Sequence, residues 1–269
     1  MGQSIVVTSG KGGVGKTTTS ANLGMGLAMR GKRVALVDAD IGLRNLDVVI
    51  GLENRIVYDI VDVAEGRAKL KNALIKDKRS GNLFLLPAAQ TRDKSAVSSE
   101  QMKDIIDQLK EEFDFVIIDC PAGIEHGFKN AIVGADCALV VTVPEVSAVR
   151  DADRIIGLLL ANEITNVRLI INRLRPDMVE RGDMLTVDDM LDILSIELVG
   201  VVPEDEGIIR ASNIGEPIVL DEKSQAGQAY RNITSRALGE DCPFLVIKEN
   251  KDTFMNRFLK IFGGNKADA

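Results

Sequence analysis

Seven runs of apolar, largely β-branched residues recur along the chain, at 4–9, 33–38, 83–87, 115–119, 138–142, 167–172 and 198–203. Each is nearly continuous rather than alternating, as expected of strands buried on both faces. Between them lie segments with helical spacing. Residues 17–30 favour a helix with Leu23, Leu27 and Met29 among its apolar positions, and Met102, Ile105, Ile106 and Leu109 repeat at i, i+3, i+4 and i+7. Residues 186–194 and 224–238 also read as helices. This alternation predicts an α/β fold, a mostly parallel, doubly wound sheet with helices on both faces. No repeat and no linker interrupts it before position 241, so one domain spans 1–240 and 241–250 links it to the end of the chain. Ligands of such sheets sit at the carboxyl ends of the strands, where the chemistry-bearing residues are expected.

The last apolar pattern is of another kind. Within 251–264, Phe254, Met255, Phe258, Leu259 and Phe262 share one helical face, flanked by Lys251, Arg257 and Lys260, and Gly263 is a natural stop. A basic helix with a bulky apolar face at a chain end reads as a membrane-surface anchor touching lipid through Phe254, Met255, Arg257, Phe258, Leu259, Lys260 and Phe262. Residues 265–269 read as a disordered end. A terminal helix packed on its own core would show the same face, and charge favours the membrane. The chain carries −7 overall, but 251–269 carry four Lys/Arg and two Asp, a net +2 against −9 for the rest. An anionic lipid surface therefore attracts the tail and repels the body. The acidic body also argues against a DNA-binding face.

Hydrophobic and charged fractions of 45% and 27% are ordinary for a soluble globular protein. Cys120, Cys137 and Cys242 are too few and scattered for a disulfide framework or a metal pair, which suits a reducing compartment. No apolar run approaches the length of a membrane span, and Met1-Gly2-Gln3 leads directly into the first strand, so no signal peptide is expected. Gly2 invites a myristoylation reading, but that motif wants Ser or Thr where Val6 stands.

The strongest local signal is Gly10-Lys11-Gly12-Gly13-Val14-Gly15-Lys16-Thr17-Thr18, which satisfies the phosphate-loop pattern G-x-x-x-x-G-K-[ST] between a strand and a helix. Glycines let successive N–H groups turn inward around a phosphate, and the helix start adds partial positive charge. Lys16 would reach the β/γ-phosphates, and Thr17 would bind Mg²⁺. Asp38 ends the second strand, Asp40 follows, and Asp119 ends the fourth. Carboxylates at strand ends beside such a loop bind the metal and orient attacking water, although aspartates also cap helices after strands. His126 reads as a helix-start polar residue and Cys120 as a small buried one.

The extra lysine, Lys11, makes the loop resemble the deviant Walker A motif of the ParA/MinD family of P-loop ATPases. The likeness continues through Asp38-Ala39-Asp40-Ile41-Gly42-Leu43-Arg44-Asn45-Leu46-Asp47, similar to the family's first switch, and Asp119-Cys120-Pro121-Ala122-Gly123-Ile124-Glu125, similar to its second. It extends over nearly the whole chain and points to the septum-placing branch. The resemblance implies that Lys11 reaches a partner's phosphates across a nucleotide-sandwich homodimer, that Asp40 activates water, and that Asp38 and Asp119 support Mg²⁺. It also implies that Asn172 binds adenine with Pro203 and Glu204 nearby, which favours ATP over GTP; a turn or helix-cap role is the alternative for an asparagine there. No N-K-x-D guanine signature is present.

By the same resemblance the partners are a MinC-like division inhibitor and, where the organism has one, a MinE-like activator. The location would be the cytoplasm and inner face of a bacterial plasma membrane, or the plastid equivalent. One tail should hold membrane weakly, since ordering a short helix offsets much of its insertion energy. Two tails on a dimer gain roughly 10²–10⁴-fold in avidity. The expected activity is slow ATP hydrolysis that times membrane residence. A ParA-type DNA or cargo-partitioning ATPase is the alternative, and an ATP-driven electron carrier like the nitrogenase iron protein would need cluster-ligating cysteines that Cys120 and Cys137 do not resemble.

Overall fold

The computed structural model describes residues 1–93, 95–124 and 126–247. The membrane-helix expectation for 251–264, the end at 265–269 and part of the proposed linker lie outside the described residues.

The strands are β1 (Gln3–Thr8), β2 (Val34–Asp38), β3 (Ile75–Lys76), β4 (Leu83–Leu86), β5 (Phe115–Asp119), β6 (Cys137–Thr142), β7 (Val167–Leu174) and β8 (Glu197–Pro203). They form one sheet in the order β3-β4-β2-β5-β1-β6-β7-β8. All neighbouring pairs are parallel except β3–β4. Seven strands stand where the apolar runs predict them. The eighth, β3, has two residues, too short to leave a periodic signal.

Alternate strand residues feed two cores. Val6, Val37, Ile118 and Val140 face one side, with Ile105 and Ile106 of helix Ser99–Glu112 and Ile155 of helix Val146–Ala161. Val7, Leu36, Ile117 and Leu139 face the other, with Leu23 and Leu27 of helix Lys16–Met29 and Tyr230 of helix Gln225–Ala237. Burying the inner strands, such as β2, β5 and β6, on both sides removes the alternation seen in half-exposed sheets. The helices start where local chemistry satisfies their free N–H groups. Ser98 accepts from Gln101 N while the Gln101 side chain accepts from Ser98 N, a capping box, and Thr186 does the same with Asp189.

β1 lies inside the sheet between β5 and β6, and β5 in turn separates it from β2. The carboxyl ends of β2, β5 and β1 therefore converge on one crevice.

Candidate nucleotide site

β1 stops at the glycine loop, and helix Lys16–Met29 starts directly after it. Gly13 and Gly15 hold the left-handed backbone this turn demands, with φ of +77° and +100°. Crowding is a second constraint. A Cβ on Gly15 would come within 2.2 Å of Asn172 Nδ2, and one on Gly10 within 2.3 Å of the Asp151 carbonyl oxygen. Glycine at these points lets the loop lie against β7 and helix Val146–Ala161. Ser9 Oγ donates to the Lys11 carbonyl at 2.7 Å, closing the turn.

No side chain caps helix Lys16–Met29, so its first-turn N–H groups are left for an outside acceptor. Lys16, 8% exposed, sits within the site. Lys11 points elsewhere: its Nζ lies 3.1 Å from Glu145 Oε2, and both side chains are about half exposed, at 45% and 53%.

The carboxylates gather below the loop. Asp38 and Asp119 are register partners at the ends of β2 and β5. Thr17 Oγ1 donates to Asp119 Oδ2 at 2.7 Å, and Ser20 Oγ donates to Oδ1 at 3.0 Å. Asp38 accepts from the backbone N–H groups of Asp40, Asn45 and Leu46 at 3.0, 3.2 and 3.1 Å. Burial pushes Asp38 up to about 7, with the Asp119 charge adding to it and the three backbone donors opposing. Burial also raises Asp119 to about 6, against the Thr17 and Ser20 hydroxyls and the Lys16 charge. Two buried carboxyls sharing one space favour a cation between them. A hydroxyl and two carboxyls, all hard oxygen donors, suit Mg²⁺ completed by phosphate oxygens. The residues present fit a magnesium nucleotide.

Asn172 departs from its expected place. β7 continues to Leu174, so Asn172 lies inside the strand rather than at its end. Buried to 3% exposure, it donates from Nδ2 to the Val14 carbonyl at 2.8 Å and accepts from Arg173 N at 3.0 Å. Its amide braces the phosphate loop, a role the sequence pattern does not disclose. Arg173 beside it has a φ of +57°, where the β7–β8 register shifts. Glu204 N donates to the Leu174 carbonyl at 3.0 Å, and Glu204 Oε2 lies 3.8 Å from Arg173 Nε. Pro203 and Glu204 thus lie beside Leu174 at the end of β7, two residues beyond Asn172.

Sequence reading does not single out Ser20 or Glu145. The first follows from helical spacing, since Ser20 is one turn beyond Lys16 and bonds its carbonyl at 3.1 Å. The second, 134 residues from Lys11, leaves no local signal. Cys120 is buried, its thiol pushed up to about 12 by that burial, in keeping with a packing residue. A helix begins at His126 as expected.

The family model described as "AAA domain" matches residues 2–173. The septum site-determining protein MinD of Bacillus subtilis is 60% identical over 265 residues, covering 98% of this chain and 99% of that protein. The chain belongs to the MinD family of septum site-determining proteins. MinD of Aquifex aeolicus, solved as a MinC:MinD complex, superposes with a TM-score of 0.85 at 50% identity, covering 92% of this chain and 98% of that one. MinD of Pyrococcus horikoshii, solved with Mg-ADP, gives 0.79 at 29% identity over 88% and 96% of the two chains. The α/β, P-loop ATPase fold of the MinD family is accordingly the fold of this chain. Among the described residues, no helix is long and apolar enough to cross a membrane.

Proposed function

We propose that this MinD-family chain is an ATP-dependent switch that dimerises around nucleotide, holds a membrane surface in that state and releases it on hydrolysis. The single observation that carries the reading is the division of labour between two lysines. Lys16 is buried in its own loop, whereas Lys11 stands half-exposed and, among the described residues, its ammonium pairs with the exposed Glu145 alone. A cation so placed is free to meet charge arriving from a second copy, as an arginine finger does.

In this reading Gly10, Gly12, Gly13, Val14, Gly15 and Thr18 supply the loop backbone that wraps the phosphates, and Lys16 neutralises the β/γ-phosphates. Thr17, Asp38 and Asp119 would hold Mg²⁺, which when bound would supply electrostatic stabilisation for charge developing on the phosphates. Asp40, whose N–H donates to Asp38, orients the attacking water. Asn172, Pro203 and Glu204 border adenine. Family membership supports a MinC-like division inhibitor as partner and a MinE-like activator where one exists; the MinC:MinD complex of Aquifex aeolicus supports the first. The anionic inner membrane surface would be met by the tail from Phe254 to Phe262. Septum placement follows from the timing of that contact.

Sedimentation velocity on Asp40→Ala, which should bind ATP without turning it over, tests the switch. A dimer in Mg-ATP, a monomer in Mg-ADP, and monomers in both for the added Lys11→Ala change are expected. A dimer that persists in ADP contradicts it.

A further inference from the structure

A positively charged edge of the sheet takes no part in the nucleotide site. Residues 65–79 hold six Lys/Arg against two Asp/Glu, in a chain of net charge −7. Part of that charge is already answered. Arg67 pairs with Asp62 at 2.8 Å and with Glu65, while Arg79 turns onto Asp77 at 2.6 Å and donates to the Gly215 and Ile50 carbonyls. Lys69 and Lys71 are exposed and have no ion pair among the described residues. With Tyr58 and Arg67 they line an open cleft of about 770 Å³. Val57, next to it, is 77% exposed, and Tyr58 is 38% exposed.

The fold gives this cleft a definite position. Ile60 N donates to the Pro87 carbonyl just past β4, and helix Leu70–Ala73 leads into β3, so the cleft opens beside the β3–β4 edge. The opposite edge, β8, is covered by helix Gln225–Ala237, whose Arg236 donates to the Val199 carbonyl.

Unpaired ammonium groups beside an exposed aliphatic and an exposed tyrosine match the layers of a membrane–water interface. Lysines reach headgroup phosphates, tyrosine rests at headgroup depth, and the aliphatic group enters the upper acyl layer. Duplex nucleic acid would instead need a broad basic face, and the chain outside 251–269 carries −9. An acidic body brought to an anionic surface turns toward it the edge where positive charge is concentrated.

We infer that the Val57–Tyr58 and Lys69–Lys71 cleft is a second contact with anionic lipid, docking the body of the chain once its tail has reached the bilayer. This rests on the membrane reading proposed above.

The test uses the full chain in Mg-ATP with phosphatidylglycerol/phosphatidylcholine vesicles and with phosphatidylcholine alone. Each lysine near an anionic surface is worth about fivefold in binding, so Lys69→Ala/Lys71→Ala should weaken binding to the anionic vesicles about tenfold or more. The loss should shrink at 1 M salt, with melting temperature and vesicle-free ATP turnover unchanged. An environment-sensitive dye on Val57→Cys, in a Cys242→Ser background, should shift to the blue on anionic vesicles. Wild-type chain that binds no vesicles removes the membrane reading and this inference together. Wild-type binding that the double variant matches removes this inference alone. A dye that does not shift overturns it even where affinity falls, because long-range steering of the tail would then suffice. A duplex-DNA complex lost in the double variant, with vesicle binding unchanged, makes the cleft a nucleic-acid site and overturns it as well.

Discussion

Asp38 and Asp119 face each other in register at the last residues of β2 and β5, two buried carboxyl groups on neighbouring strands. Each is raised from an ordinary 3.8, to about 7 and about 6 respectively. The folded chain therefore holds protons that the unfolded chain has released across about pH 4 to 7, and stability falls as pH rises through that window. Carboxyls held low by Arg or Lys partners, such as Asp77 and Asp136, act below it. Thermal unfolding in EDTA should show a decline in melting temperature from pH 5 to 8. Asp119→Asn should make it shallower, by removing one buried carboxyl and, for Asp38, the charge that adds to the effect of its burial. An equal decline in the variant would assign the pH dependence elsewhere.

Gly15 and Asn172 form the tightest constraint on the loop. Gly15→Ala must place a Cβ 2.2 Å from Asn172 Nδ2 at a φ of +100°, so nucleotide binding should be lost. Asn172→Ala should be milder. It removes the 2.8 Å bond to the Val14 carbonyl and leaves that acceptor short of a partner, at about 1–3 kcal/mol. Fluorescent-nucleotide titration would read this as a weakening of roughly tenfold; unaltered affinity would make the brace irrelevant to the site.

The Lys11–Glu145 pair is half exposed, and pairs of that kind contribute at most about 1 kcal/mol. Lys11→Ala should leave the melting temperature nearly unchanged while removing ATP turnover. A large loss of stability would mean that Lys11 is a structural residue of its own loop.

Arg79 makes the opposite prediction. Its guanidinium answers the buried Asp77 and two carbonyls from distant segments, so Arg79→Ala should cost about 2–4 kcal/mol in denaturant unfolding. Nucleotide affinity of the folded fraction should not change.

The sheet was legible because burial on both faces writes each strand as a continuous apolar run, and the loop because its glycines and Lys16 are constrained in sequence as well as in space. Asp38 and Asp119 were found by their position at strand ends. Helix Val146–Ala161 carries a clear apolar face, at Ala148, Val149, Ala152, Ile155, Ile156 and Leu159, that periodicity could have revealed. Contacts such as Lys11–Glu145 and Asn172–Val14 join residues more than a hundred positions apart and exist only once the sheet has formed. The polar Asn172-Arg173 step interrupts the apolar run and so marks a strand end in the sequence, whereas β7 passes through it by way of a register shift.

The measurement that bears most directly on the account is nucleotide-dependent co-sedimentation with anionic vesicles, for the full chain and for a chain truncated before Lys251. Mg-ATP should raise the bound fraction of the full chain well above that in Mg-ADP, and truncation should abolish the difference. Equal binding in ATP and ADP, or nucleotide-dependent binding that survives truncation, would contradict a switch that times membrane residence through paired tails.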